Sequence, residues 1–195
     1  GQDTGLREIR QLVEAGVPTY DGPLGGVSEQ DLLVGYSQFL RGLVDLSGSR
    51  HLKVVVDAGN GMGGFTVPAV LGDAAGLPPL PLDIDEMYFE LDGTFPNHEA
   101  NPIEPENLRD LQARVRETGA DIGLAFDGDA DRCFVVDERG ELVTPSTLTA
   151  LIAARELAKH PGSPVIHNLI TSKAVPEVIV ENGGTAVRTR VGHSF

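Results

Sequence analysis

The stretch LKVVVDAGNGMGGFTVPAVL, residues 52–71, sets the fold class. Residues 52–56 form a short apolar, β-branched run, the pattern of a buried strand. DAGNGMGG follows as a glycine-rich turn, and the segment from Gly64 to Leu71 reads as a helix. A strand that turns over glycines into a helix is one βα unit. The order then repeats along the chain.

Downstream, LPPLPLDID reads as an extended segment with a proline-rich approach. Residues 86–104 lack a period and read as a loop, long enough to be either functional or mobile. A helix follows, with Pro105 at its first position, Leu108, Leu111 and Val115 as its apolar stripe and Gly119 as its C-cap. Residues 120–126 return to strand, and CFVV, the turn DERG and ELV read as a hairpin. A helix starting near Thr144-Pro145 turns Leu148, Leu151 and Ile152 inward. VIHNLI is a strand, residues 173–182 a helix ended by Gly183-Gly184, and TAVRTR a strand. Upstream, Leu32, Leu33, Tyr36, Phe39, Leu40 and Leu43 recur at helical spacing behind a Ser28 cap. This alternation predicts an α/β fold: three-layer αβα domains with mixed, mostly parallel sheets. A fresh βαβ series begins at Glu141 to Thr144, which marks a domain boundary.

Composition narrows the function. Twenty-nine acids against fifteen bases give a formal charge of −14, the opposite of a nucleic-acid footprint. The one cysteine, Cys133, rules out an internal disulfide framework and suits a reducing compartment. No apolar run reaches membrane-span length and no signal peptide is visible, so a cytoplasmic protein is expected. Nothing in the pattern sets an oligomeric state. Residue 1 is Gly and Phe195 lies inside what reads as a continuing segment, so a fragment is expected.

The chemistry concentrates in LAFDGDADRCFVV, residues 124–136, where Asp127, Asp129 and Asp131 alternate between two apolar runs. Three readings compete. A solvated acidic turn is the plainest, since Asp and Gly are common turn residues. A calcium loop of the EF-hand kind would use the aspartates at positions 1, 3 and 5 and Glu138 at position 12. It requires Gly where Arg132 stands, and helices where strands are expected. The third is a catalytic Mg²⁺ site. Alternate side chains of an extended segment share a face. Curling it converges their oxygens on a hard cation and leaves room for phosphate oxygen. Arg132 adds a second phosphate-directed cation with forked donors. Metal and arginine around one phosphoryl group are the apparatus of phosphoryl transfer.

DGDADR, preceded by ADIGLAF and followed by CFVVDERG, resembles the metal-binding loop of the α-D-phosphohexomutases, the phosphomannomutase/phosphoglucomutase family. VVVDAGNGMGG (54–64) resembles the opening strand and turn of that family's second domain. DGTFPNHEANPIEPENL (92–108) resembles the segment before the metal-loop helix, and RVGHSF (190–195) a substrate-side loop of the third domain. The resemblance covers most of the chain in the family's order. It implies a four-domain enzyme in which a phosphoserine of the first domain passes its phosphoryl group to a hexose phosphate, of mannose and/or glucose. The hexose 1,6-bisphosphate reorients and returns a phosphoryl group. Mg²⁺ would be held by Asp127, Asp129, Asp131 and one phosphoserine oxygen. Arg132 would lie close to the phosphoryl group in transfer, and Gly192 and His193 at the substrate. Residues 1–40 would be the tail of domain one, 41–141 domain two and 142–195 part of domain three.

Two departures matter. None of the eight serines (28, 37, 47, 49, 146, 163, 172 and 194) stands in a T-A-S-H-N-P type loop. The nucleophile is absent, and the chain alone is expected to be inactive. Some members carry a substrate-side lysine where Ile170 falls here. Lys173, three residues on, is the candidate, with a solvated lysine at a helix start as the alternative.

Gly59, Gly61 and Gly64 also satisfy G-x-G-x-x-G after a strand, with Asp83 and Asp85 about twenty residues on, so a dinucleotide-binding oxidoreductase domain is a competing reading. A structural role for the glycines is the alternative, with Asn60 bonding local backbone. A non-catalytic metal-binding α/β module is a further rival. Cys133, at the start of an apolar strand, reads as a buried small hydrophobe. His98 reads as a structural loop residue. His51, His160 and His167 show no ligand spacing.

Overall fold

A computed structural model describes residues 5–192. β1 (Leu52–Asp57) lies inside a five-stranded sheet, paired in parallel with β2 (Leu82–Met87) and with β3 (Ile122–Phe126). β4 (Cys133–Val136) and β5 (Leu142–Val143) add antiparallel strands, giving the order β2-β1-β3-β4-β5. This is a mixed sheet, as the sequence pattern predicts, with parallel pairings on one side of β3 and antiparallel ones on the other.

Alternation along β1 builds the three layers. Val54 and Val56 face one side, where they pack with Val67 of α3 (Gly63–Val70) and with Ile84, Leu124 and Phe126. Val55 faces the other, against Leu108, Leu111 and Val115, with Ala125 and Val136 alongside. A strand buried on both faces reads as a continuous apolar run, which is why VVV carries no polar alternation. Each such side chain contributes about 1.5–3 kcal/mol by leaving water. Pro105 opens a 3₁₀ turn (Pro105–Leu108) that runs into α4 (Arg109–Thr118). Gly119 ends α4 in the left-handed conformation, φ 60° and ψ 38°, as its expected C-cap role requires.

Towards the N-terminus, α1 (Arg7–Glu14) buries no residue. α2 (Leu33–Leu43) starts later than the apolar spacing suggests. The N-cap position is Leu32, without a side-chain cap, so the expected Ser28 cap lies too early; Asp31 Oδ1 accepts the Leu33 N–H at 2.9 Å just ahead of the helix. Its inward side is Leu33, Ser37, Leu40 and Arg41, while Tyr36, Phe39 and Leu43 are exposed. Arg41 decides the orientation. Its guanidinium donates to the carbonyls of Val70 (2.7 Å), Gly72 and Pro78. Those oxygens lie at and beyond the end of α3, where helical carbonyls lack intrahelical partners.

The remaining residues form a second sheet of two parallel strands, β6 (Pro164–Asn168) and β7 (Thr185–Thr189). It is flanked by α5 (Pro145–Lys159) and α6 (Ala174–Glu181). Thr144 Oγ1 accepts the Thr147 N–H at 3.2 Å and Pro145 occupies the first turn. The core here is Ala153, Leu157, Val175 and Ile179. Leu151 and Ile152, expected to face inward, are 53% and 60% exposed. The stripe that meets α6 instead runs through Ala150, Ala153 and Leu157, spaced i, i+3, i+7, which turns 151 and 152 away. Cys133, expected to be buried, is exposed as well.

Truncating Leu111 should therefore cost far more than truncating Leu151. Leu111→Ala is expected to lose about 2–5 kcal/mol and Leu151→Ala within about 0.5 kcal/mol of nothing, measured by urea unfolding. Equal losses would mean that the exposed face of α5 is as well packed as the sheet interior.

Candidate metal centre

β3 and β4 pair antiparallel with Phe126 opposite Cys133. The six residues between them, 127–132, therefore begin and end at one point on the sheet edge. Backbone bonds close the loop: Asp127 N–H to Arg132 O at 3.3 Å and Ala130 N–H to Asp127 O at 3.1 Å. Ala130 takes the left-handed conformation, φ 59°, to make the turn. The result brings one carboxylate oxygen each of Asp127, Asp129 and Asp131 within 4.8 Å of one another.

The three acids are not equivalent. Asp127 is 2% exposed, whereas Asp129 and Asp131 are open to solvent. Both Asp127 oxygens are satisfied by Arg132: Oδ1 accepts its backbone N–H at 3.0 Å and Oδ2 its Nε–H at 2.5 Å. Burial pushes Asp127 up, but the Arg132 backbone and guanidinium bonds together outweigh it and hold the carboxyl below the usual range. Asp131 is raised, first by the charge of Asp129 and then by that of Asp127. Arg132 reaches Asp131 only at 3.7 Å. Two exposed carboxylates and one buried, arginine-paired carboxylate form a donor set with surplus negative charge and only oxygen ligands. That set fits a hard divalent ion, and Mg²⁺ takes such oxygens at about 2.0–2.1 Å in an octahedron.

The competing readings meet the geometry differently. The flanking elements are strands, and Glu138 lies beyond the far end of β4, so the helix–loop–helix arrangement of an EF-hand is not present. The glycine turn is occupied by the protein itself. A Cβ on Gly61 would stand 2.6 Å from Gly128 O, and one on Gly64 would stand 2.1 Å from Phe89 O. A dinucleotide fingerprint keeps that space for pyrophosphate. Asp85 is held in a two-bond pair by Arg114, 2.9 Å for each bond.

The structure gathers Asp127, Asp129, Asp131 and Arg132 in one loop. Lys173 and Gly192 belong to the second sheet. Lys173 is exposed at the start of α6, after β6, and Gly192 is exposed after β7 with φ 125°. Asn168 and Thr189 are register partners, so both residues follow the carboxyl edge of that sheet, the edge where α/β folds place ligands. His193 lies outside the described residues.

Sequence reasoning missed a polar pair at the end of β1. His98 Nε2 bonds Asp57 Oδ2 at 2.9 Å and its Nδ1 bonds the Glu99 carbonyl at 2.9 Å. Both partners accept, so both ring nitrogens carry protons. The Asp57 bond is the main cause that raises His98 to about 9. Tyr88 sets its ring edge-on to His98, centroids 5.3 Å apart, and donates its hydroxyl to Asp110 at 2.7 Å, a bond that pushes the phenol up to about 12. The available signal was Asp57 itself, an acid at the end of a fully buried run.

Comparison with known proteins agrees with the fold. The model for phosphoglucomutase/phosphomannomutase alpha/beta/alpha domain II matches residues 35–140, and that for domain III matches residues 144–195. A phosphomannomutase of Salmonella typhimurium is 37% identical over 195 residues, covering 99% of this chain and 42% of the relative. A phosphomannomutase/phosphoglucomutase of Pseudomonas putida is 42% identical over 195 residues, covering 99% and 40%. The crystal structure of a phosphoglucomutase/phosphomannomutase family protein from Burkholderia thailandensis superposes with a TM-score of 0.81 at 33% identity, covering 95% of this chain and 38% of that one. The chain thus spans about two fifths of the length of these relatives.

The Asp57–His98 pair predicts a pH-dependent contribution to stability. His98 is raised from 6.5 to about 9, so the contribution is fully present below pH 6.5 and is lost as pH rises through 9. Its ceiling is on the order of 3 kcal/mol. In urea unfolding, the gap between wild type and His98→Gln should be widest near pH 6 and narrow by pH 9.5. A gap independent of pH would refute the charged pair.

Proposed function

Because this chain belongs to the phosphoglucomutase/phosphomannomutase family, we propose that the full-length protein interconverts hexose 1-phosphate and hexose 6-phosphate, of mannose and/or glucose, through a phosphoserine and a hexose 1,6-bisphosphate. Residues 1–40 serve as the tail of a first domain, 41–141 as the second and 142–195 as part of a third. The carrying observation is the convergence of three carboxylate oxygens within 4.8 Å beside an arginine.

Asp127, Asp129 and Asp131 hold Mg²⁺, which when bound supplies positive charge to a phosphoryl group. Arg132 acts as the second cation. Its Cα is fixed by its own N–H on Asp127, and its side chain, 46% exposed, keeps an open edge toward solvent. From there its forked donors can meet phosphate oxygens. Asp127 orients the guanidinium before substrate arrives, so less ordering is needed at the moment of transfer. Lys173, Gly192 and His193 serve as the substrate-side residues for the sugar phosphate. No serine here has the nucleophile's sequence context, and the chain by itself does not turn over. A single cysteine and phosphorylated sugar substrates fit the cytoplasm.

The test is a coupled mutase assay on the full-length protein with mannose 1-phosphate and glucose 1-phosphate. Asp129→Asn is expected to lower turnover by roughly 10²-fold or more, while wild type converts at least one of the two sugars. Arg132→Lys, which keeps the charge but loses the fork, should also lower kcat. Wild-type rates retained by Asp129→Asn would overturn the metal-loop mechanism.

A further inference from the structure

The aspartate loop is held from outside as well as by its own bonds. Met62 N–H donates to Gly128 O at 2.9 Å, and Gly128 is the residue between the first two aspartates. Beneath it a Cβ on Gly61 would stand 2.6 Å from Gly128 O and 2.8 Å from Gly128 Cα. Those are backbone atoms that cannot swing aside. Its other side faces the loop after β2 with room for one methyl group: a Cβ on Gly128 would lie 3.4 Å from Phe95 Cζ and 3.8 Å from Ala100 Cβ, ordinary contact distances. Gly128 thus rests on the glycine turn and stands beside the loop after β2, two segments remote in sequence.

Those two segments are locked to each other. Asn60 is the hub. Its N–H bonds Tyr88 O at 2.8 Å, and its carbonyl accepts the Asp92 N–H at 3.0 Å. Its side chain bonds Glu90 O and Asn97, each at 2.8 Å. Asp57, 1% exposed, takes the Gly59 N–H on one oxygen at 2.8 Å and His98 on the other. Strain concentrates in the same place. Among the described residues four non-glycines have φ in the left-handed range: Asn60, Tyr88, Phe95 and Ala130, at 51–59°. All four lie in these three segments. Such conformations persist only where their surroundings over-determine them, and they gather at functional sites.

We infer that the glycine turn 59–64 and the loop 88–101 form a cradle that fixes the spacing of Asp127 and Asp129, with Gly61 and the Asp57–His98 pair as positioning residues for cation binding. This rests on the metal reading above. Gly61 is glycine because the backbone of the metal loop lies on it. His98 ties the loop carrying Phe95 and Ala100 to the end of β1, so that loop stands beside Gly128 in one place.

The test is Mn²⁺ titration of the 195-residue chain by electron paramagnetic resonance. It compares wild type, Asp129→Asn, Gly61→Ala, His98→Gln and Gly42→Ala, whose Cβ meets nothing within 4 Å. Expected are binding by wild type and Gly42→Ala, loss in Asp129→Asn, and affinity roughly 10- to 100-fold weaker in Gly61→Ala and His98→Gln. Circular dichroism checks that each variant is folded. If Gly61→Ala does not fold, His98→Gln decides alone. Wild-type affinity in both folded variants, with Asp129→Asn still deficient, would overturn the cradle and leave the metal site standing. No binding by wild type, or undiminished binding by Asp129→Asn, would overturn the metal site and the cradle with it.

Discussion

A carboxylate that is almost fully buried must be compensated, and the Asp127–Arg132 pair does this at the exit of β3. Uncompensated, the charge would cost several kcal/mol. Arg132 meets it with both backbone and guanidinium, which requires the chain to double back within six residues. That reversal forces the left-handed residue at Ala130, leaves Asp129 and Asp131 outside, and aims β4 back along β3. The antiparallel half of the first sheet and the acidic cluster therefore share one cause. The parallel half supplies the platform, because β1 ends where β3 ends and delivers the glycine turn beneath the loop.

Features that depend on near neighbours are legible in the sequence. VVV at 54–56, Pro105 and Gly119 around α4, the Thr144-Pro145 start of α5 and the β4–β5 hairpin all carry local signals, and each element is present. The three aspartates are legible as a cluster for the same reason, since five residues contain them. Helix faces are another matter. Tyr36, Phe39 and Leu43, or Leu151 and Ile152, have the composition of an inward stripe. Which stripe is buried is set by partners elsewhere: the α3 carbonyls that capture Arg41, and α6 that receives Ala153 and Leu157. Cys133 misleads similarly, since a strand's first residue need not share the burial of its centre.

The support beneath the aspartate loop is illegible for a sharper reason. Gly61 satisfies a nucleotide-binding pattern as well as it satisfies contact with Gly128, and sixty-odd intervening residues hide the difference. Asn60 with Asn97, and Asp57 with His98, are likewise pairs far apart along the chain. The loop 88–104 shows no period because its order comes from such bonds and not from repeating structure. A segment without secondary structure is here among the most constrained.

The pinned ends of the 127–132 loop have a thermodynamic consequence. Gathering three like charges is unfavourable, and closing a loop around them costs entropy. Because the β3–β4 pairing closes the loop already, both costs are incurred in folding and not in ligand capture. A cation that binds this folded arrangement and not the unfolded chain must raise stability by RT ln(1 + [L]/Kd). For such a cation, concentration is a variable of state for the whole five-stranded sheet. Removing such a cation would lower the temperature at which that sheet comes apart.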